Sequence, residues 1–248
     1  MWKGQSVSVI FPCYNEEKGI IKAINDFFST GYVDEIVVVD NNSTDKSAEL
    51  VRPTKAKLVS EIRQGYGFAL IRGLSEATGD LIVMTEPDGT FLAKDINKLL
   101  AYSDDFDIVL GSRTRQEMIH PEANMDFFMK NGNRAVAKLL EFLFRTTSLS
   151  DCGCTMRLLN RNTLQAILPY FTVGTLHFLP EMIILGQYLG ANMIEIPLNY
   201  CARIGESKIT GNTKITAKVA LKMIAIIVGY RFKIWFGLAP KLRLTGEK

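Results

Sequence analysis

The chain has 248 residues, 47% hydrophobic and 22% charged. That is the composition of a globular protein with a core, and the length fits one large domain or one domain plus an appendage. The net charge of +3 is unevenly spread: from Lys208 onward nine basic residues face one acidic, a local +8 that leaves −5 for the rest. Four cysteines without a Cys-x-x-Cys pair and only two histidines argue against a zinc site, and read instead as buried, reduced thiols of a cytosolic protein.

An apolar strand over 7–11 starts almost at the N-terminus and leaves no room for a signal peptide. Pro12-Cys13-Tyr14-Asn15-Glu16-Glu17 follows it, then a helix over 17–29. The strand over 35–40 carries three valines and ends on Asp40, before Asn41-Asn42-Ser43-Thr44-Asp45 and a helix over 45–51. Two overlapping glycosylation sequons fall in that segment; sugar there would obstruct a pocket, which favours the cytosolic side. After a strand over 57–60, Arg63 precedes Gly65-Tyr66-Gly67, which opens a helix over 66–77. The strand over 81–85 runs into Glu86-Pro87-Asp88-Gly89-Thr90, followed by a helix over 93–102 and a strand over 108–111. This βαβα rhythm predicts an α/β fold, a mostly parallel Rossmann-like sheet with helices on both faces.

The second half predicts a helix within 121–144, a turn and strand over 150–159, helices over 161–168 and 179–189, and a strand over 192–197. A polar loop over 203–212 leads to a helical tail over 213–236. On a continuous helix Lys214, Lys218, Lys222 and Lys233 fall within about 100° of one another, and most other positions are apolar. Such a helix suits an anionic membrane interface. The alternative, weighed second, is packing on the body or on a second subunit, giving a homo-oligomer. A membrane span is disfavoured by Lys222, Arg231 and Lys233.

Polar and acidic residues thus sit where several strands end, the place at which open α/β sheets bind ligands. Glu86 and Asp88, one residue apart, can share Mg²⁺ or Mn²⁺ with diphosphate oxygens; the alternative is a solvated Pro-Asp-Gly turn. Asp40 can accept from a base or ribose, or cap a helix, though Thr44 or Asp45 is the better cap. Gly65-Tyr66-Gly67 at a helix N-terminus suits a phosphate. It lacks the third glycine of the dinucleotide fingerprint and does not follow the first strand, which argues against a dehydrogenase. Arg203 and Lys208, in Arg203-Ile204-Gly205-Glu206-Ser207-Lys208, can close on a diphosphate leaving group, or simply flank a hinge.

Taken in order, these segments resemble the family 2 glycosyltransferases, with the glycosyltransferase A fold. The branch they resemble is that of the polyprenyl-phosphate (dolichyl-phosphate) mannosyl- and glucosyltransferases. Gly79-Asp80-Leu81-Ile82, Gly111-Ser112-Arg113 and Ser150-Asp151-Cys152-Gly153-Cys154-Thr155-Met156-Arg157 add to the resemblance, which runs from about 7 to 208. It implies a catalytic domain over 1–212 and an appended tail over 213–248.

By that resemblance Pro12, Asn15, Glu17 and Asp40 hold the nucleoside, and Arg63, Gly67 and Arg72 join the donor contacts. Asp88 is the metal-binding second acid of an Asp-x-Asp motif; Glu86 replaces the first, keeping the charge on a longer arm. Asn41 stands where many members carry a second Asp. Arg113 and Arg157 match basic positions near the acceptor phosphate or the diphosphate. Asp151 is the candidate base or acceptor-orienting group, with Arg203 and Lys208 closing over the leaving group.

The implied activity is metal-dependent (Mg²⁺ or Mn²⁺), inverting transfer of a sugar from a UDP- or GDP-linked donor to polyprenyl phosphate. The enzyme would be peripheral, on the cytoplasmic face of a membrane, and nucleic acid is not among its expected partners. Alternatives are a transferase acting on a soluble or saccharide acceptor, and a non-catalytic nucleotide-sugar-binding protein. A sugar-nucleotide pyrophosphorylase would open with a Gly-rich basic loop, where this chain has the acidic 12–17 segment.

Overall fold

The computed structural model describes residues 1–123, 127–205 and 213–238. A seven-stranded sheet forms the centre, in the order β3-β2-β1-β4-β6-β5-β7. Its parallel half consists of β1 (Val7–Cys13), β2 (Glu35–Asp40), β3 (Lys57–Ser60) and β4 (Leu81–Met84). The other half holds β5 (Ile108–Ser112), β6 (Arg157–Asn160) and β7 (Met193–Pro197). β6 is antiparallel to both β4 and β5, while β7 runs parallel to β5.

Helices cover both faces, which is why β1 and β4 are buried at every position and read as near-continuous apolar runs, broken only by Ser8. Alternate side chains serve the two faces. Val9, Phe11, Val38 and Val83 pack with α1 (Ile20–Ser29) and α4 (Ile96–Tyr102) through Ile24, Phe27, Leu99 and Leu100. Ile10, Val37, Val39 and Ile82 pack on the opposite face with α3 (Tyr66–Glu76), α5 (Phe127–Phe144), α6 (Arg161–Ile167) and α7 (Phe178–Leu189). The short α2 (Ser47–Val51) follows β2.

Two of the boundary shifts bear on the site. β1 continues through Pro12 to Cys13, because Pro12 stays in register opposite Val39. The helix expected from 17 starts at Ile20, because the backbone over 15–17 is engaged by the 43–47 loop: Glu16 N donates to Ser47 Oγ at 2.8 Å and Glu17 N to Asp45 Oδ2 at 3.0 Å.

The C-terminal helix α8 (Thr213–Trp235) packs against α5 and α7. Met223, Ile227 and Tyr230, spaced i, i+4, i+7, form its buried stripe. Full burial of one such side chain contributes roughly 1.5–3 kcal/mol, so packing on the body holds for one face of the helix. The other face exposes Leu221, Phe232 and Trp235, with Lys218, Lys222, Arg231 and Lys233. No helix among the described residues is long and apolar enough to cross a membrane. The four cysteines are free thiols, three of them buried.

Candidate active site

A cleft of about 700 Å³ opens at the carboxyl ends of β1, β2 and β4. Pro12, Asn15, Glu16, Glu17, Asn41, Glu86 and Arg203 line it, with Lys18, Tyr66 and Leu176. Parallel pairing puts the ends of the three strands side by side, so segments distant in sequence meet here.

The chemistry centres on three carboxylates and one guanidinium. Asp88 is buried at the turn after β4; its Oδ1 accepts from Thr90 N at 2.9 Å and Thr90 Oγ1 at 2.6 Å. Gly89 has φ +81°, so the acidic segment is also the Pro-Asp-Gly turn that its residue types suggested. Asp88 Oδ2 accepts no hydrogen bond among the described residues and faces Arg203 Nη1 at 3.1 Å. Arg203 Nη2 donates to Glu16 Oε1. Ile204 N donates to Asp88 O at 2.7 Å, which fixes the arginine-bearing segment on the turn.

Burial, then the neighbouring Asp88 charge, pushes the Glu86 carboxyl up to about 8. Burial also raises Glu16 to about 7, with Arg203 opposing and Asp88 adding to the rise. A carboxylate oxygen without hydrogen-bond donors, beside two proton-retaining acids, is a site that favours a cation. Among the described residues no three His, Cys, Asp or Glu side chains are arranged to hold a metal by themselves. That fits a hard cation bound by one or two carboxylates, its remaining positions filled by phosphate oxygens.

Glu16 is the residue that the sequence reading missed in favour of Glu17. Glu17 is exposed and its Oε2 accepts from Lys46 N at 3.1 Å, while Glu16 turns inward to Arg203. The segment is a loop, so no periodicity could distinguish the two. Asn15 braces the same loop: its Oδ1 accepts from Thr44 N at 2.8 Å. Pro12, Asn15 and Glu17 do line the cleft, whereas Asp40 does not, and its Oδ1 accepts from Ser43 N at 3.3 Å.

Asn41 is a structural amide. Its Nδ2 donates to Glu61 O and Arg63 O, each at 2.8 Å, and its Oδ1 accepts from Gly65 N at 2.8 Å. An Asp could not donate to those two carbonyls, which accounts for the Asn at this position.

Several expected ligand contacts are committed elsewhere. Arg63 forms a two-bond pair with Glu61, through Nε and Nη2 at 2.9 Å each, and lies 4.6 Å over the Phe68 ring. Arg72 is exposed on α3 and pairs with Glu76 one turn on. Gly67 is buried against the 173–175 backbone, where a Cβ would lie 2.2 Å from Val173 O. Its missing side chain therefore serves close packing of loop on helix rather than a phosphate.

Asp151 is not available as a base. Arg113 Nε and Nη2 donate to its two oxygens at 2.8 and 2.9 Å, and Arg113 N and Gly153 N donate as well, each at 3.0 Å. Burial alone would raise this carboxyl, but Arg113 holds it below the usual carboxylate range. Arg113 is consumed by the same pair and stacks 5.4 Å over Tyr200. Arg157 is fully buried and donates to the carbonyls of Cys154, Leu179 and Cys152 at 2.7–2.8 Å. It ties β6 to α7 instead of meeting a phosphate. Lys208 lies outside the described residues.

The sheet has one reversed strand and carries acidic turns after β1 and β4, at the carboxyl ends where open α/β sheets bind ligands. The Glycosyl transferase family 2 profile matches residues 8–168. The chain belongs to that family and is a glycosyltransferase.

Solved structures of glucosyl-3-phosphoglycerate synthase from Mycobacterium tuberculosis share the glycosyltransferase A fold. The complex with Mn²⁺, uridine diphosphate and glucosyl-3-phosphoglycerate superposes with a TM-score of 0.67 at 19% identity, covering 92% of this chain and 80% of that one. The complex with Mn²⁺, uridine diphosphate and phosphoglyceric acid gives 0.69 at 20% identity, with 92% and 78% covered. The complex with Mg²⁺ and uridine diphosphate gives 0.69 at 19% identity, with 92% and 79% covered.

Proposed function

We propose that the chain transfers a sugar from a nucleotide sugar to a phosphate-bearing acceptor with the help of Mg²⁺ or Mn²⁺. The observation that carries this is Asp88: buried, at a strand end, with one oxygen turned only toward Arg203 and with Glu86 and Glu16 close by. A divalent cation held by Asp88, with Glu86 assisting, would neutralise the departing nucleoside diphosphate. The metal and uridine diphosphate in the similar structures support this assignment.

This chain's own residues supply the rest. Arg203 moves from the carboxylates to the diphosphate once the donor is bound, exchanging one anionic partner for another. Asn41 sets the position of the 61–65 segment beside the cleft, and Pro12, Asn15 and Asp40 flank the nucleoside. A polyprenyl phosphate attacks through an oxygen that is already ionised and needs no strong base, whereas a hydroxyl of a small phosphate compound must give its proton to a base, a role for which Asp151 is engaged by Arg113.

The acceptor is taken to be a small soluble phosphate compound, since the similar structures that name an acceptor name phosphoglyceric acid or glycerol 3-phosphate. A second reading, polyprenyl phosphate at the cytoplasmic membrane face, is favoured by one observation. α8 exposes Leu221, Phe232 and Trp235 beside four basic side chains, the make-up of an interfacial helix.

A panel of UDP- and GDP-sugars with Mn²⁺ or Mg²⁺, offered phosphoglyceric acid or polyprenyl phosphate in detergent, tests both. Release of nucleoside diphosphate that depends on the soluble acceptor supports the first reading, and dependence on the lipid replaces it with the second. Ligand binding without release under any combination would leave a nucleotide-sugar-binding protein and sink the transfer reading.

A further inference from the structure

Glu181, on α7, is fully buried and accepts four hydrogen bonds that join separate elements. Its Oε1 accepts from Thr172 N at 3.0 Å, from Thr172 Oγ1 at 2.7 Å and from the Tyr230 hydroxyl of α8. Its Oε2 accepts from Val173 N at 3.0 Å. Thr172 Oγ1 is also 3.3 Å from Tyr230 Oη. A buried carboxylate requires such donors, and here they come from α8 and from the loop ahead of α7.

That loop reaches the cleft. Gly174 O accepts from Phe68 N at 3.2 Å, in the first turn of α3, and the 173–175 backbone fills the space that a Cβ on Gly65 or Gly67 would need. Leu176 follows directly and lines the cleft together with Tyr66. His177 then returns the chain to α8: its Nε2 lies 3.2 Å from Val219 O and its Nδ1 2.7 Å from Thr175 Oγ1. A carbonyl can only accept, so Nε2 carries the proton in the neutral ring and Nδ1 accepts from the threonine. The segment between Thr172 and His177 is thus pinned to α8 at both ends and to α3 in the middle.

We propose that Tyr230 and Glu181 are positioning residues: α8 fixes the 172–177 segment, and through it the Leu176–Tyr66 wall of the cleft. Ligand in the cleft and contacts on the outer face of α8 are then linked, each changing the other's affinity by the same factor. The kinetic half of this inference rests on the transfer reading above; the structural half does not.

Amide hydrogen exchange on the full chain separates the two. In Tyr230→Phe, which keeps the packed ring and removes the hydroxyl, exchange should accelerate about tenfold at Thr172, Val173 and Phe68 and stay unchanged at Ile183 and Ile184 of α7. UDP with Mn²⁺ should restore part of the lost protection. Glu181→Gln should show the same pattern more strongly. In transfer assays Tyr230→Phe should raise KM severalfold with kcat within a factor of about two. Acceleration at Thr172 that stops short of Phe68 overturns the proposal, as does uniform acceleration throughout α7, which would make the contact merely structural. If the wild-type chain turns over no nucleotide sugar, the functional reading fails while the exchange pattern still decides the coupling.

Discussion

Arg203 Nη1 lies 3.1 Å from Asp88 Oδ2, and the same guanidinium holds Glu16 with its other terminal nitrogen. A cation thus already bridges two buried acids at the place proposed for the metal. Without it, desolvated like charges would face one another.

Asp88→Asn keeps the shape of the turn and removes the charge. Turnover of nucleotide sugar should fall by two to three orders of magnitude, roughly the loss of ~3–4 kcal/mol of charge stabilisation. Tight Mn²⁺-dependent binding of UDP should vanish in titration calorimetry. Wild-type turnover in excess chelator would contradict the metal assignment.

Arg203→Ala leaves Glu16 and Asp88 unpaired. Loss of about 1–2 kcal/mol should lower Tm by roughly 2–8 °C. Saturating Mn²⁺ with UDP should recover more Tm in the variant than in the wild type, since it returns positive charge to the site. Scanning fluorimetry with and without ligand provides the check.

The pH dependence has a definite sign. Glu16 and Glu86 rise from 4.5 to about 7 and about 8 on folding. Between pH 4.5 and 8 the folded chain therefore binds more protons than the unfolded one, and its ligand-free stability falls as pH rises through that window. Metal binding requires ionised carboxylates, so Mn²⁺ affinity should rise over the same range. Tm measured from pH 5 to 8.5 should fall without metal, and the increment from Mn²⁺ plus UDP should grow.

Asn41→Asp replaces a donor to two carbonyls at 2.8 Å by an acceptor. The cost should be about 2–4 kcal/mol in chemical denaturation, because one buried and one partly buried bond are lost and a carboxylate meets carbonyl oxygens. An unchanged denaturation midpoint would show that the amide does not anchor the 61–65 loop.

Arg72→Ala should leave donor KM within about twofold of wild type and cost at most ~0.5 kcal/mol, the usual worth of an exposed i, i+4 pair. A tenfold rise in KM would return Arg72 to the donor site.

The sheet was legible because both of its faces are covered, which leaves predominantly apolar runs within 7–11, 35–40 and 81–85 with polar residues after each. The acidic turn at 86–88 was legible for the same reason. The reversed direction of β6 was not, since a strand's residues carry no mark of its direction. Arg113, Arg157 and Asp151 all have protein partners that their motifs do not announce. Charged residues near a motif suggest a ligand, but here the fold spends those charges on one another and on carbonyls, as burial demands.

Hydrophobic period and strand-end chemistry are local properties, and they sufficed for the α/β class and for placing polar and acidic residues at the carboxyl ends of the strands. Which of two adjacent acids turns inward, which arginine faces the acidic turn, and how Tyr230 of α8 meets Glu181 depend on partners up to 187 residues away. Only the packed chain brings those partners within hydrogen-bond distance, and the cost of burying a charge without one then fixes each side chain's role.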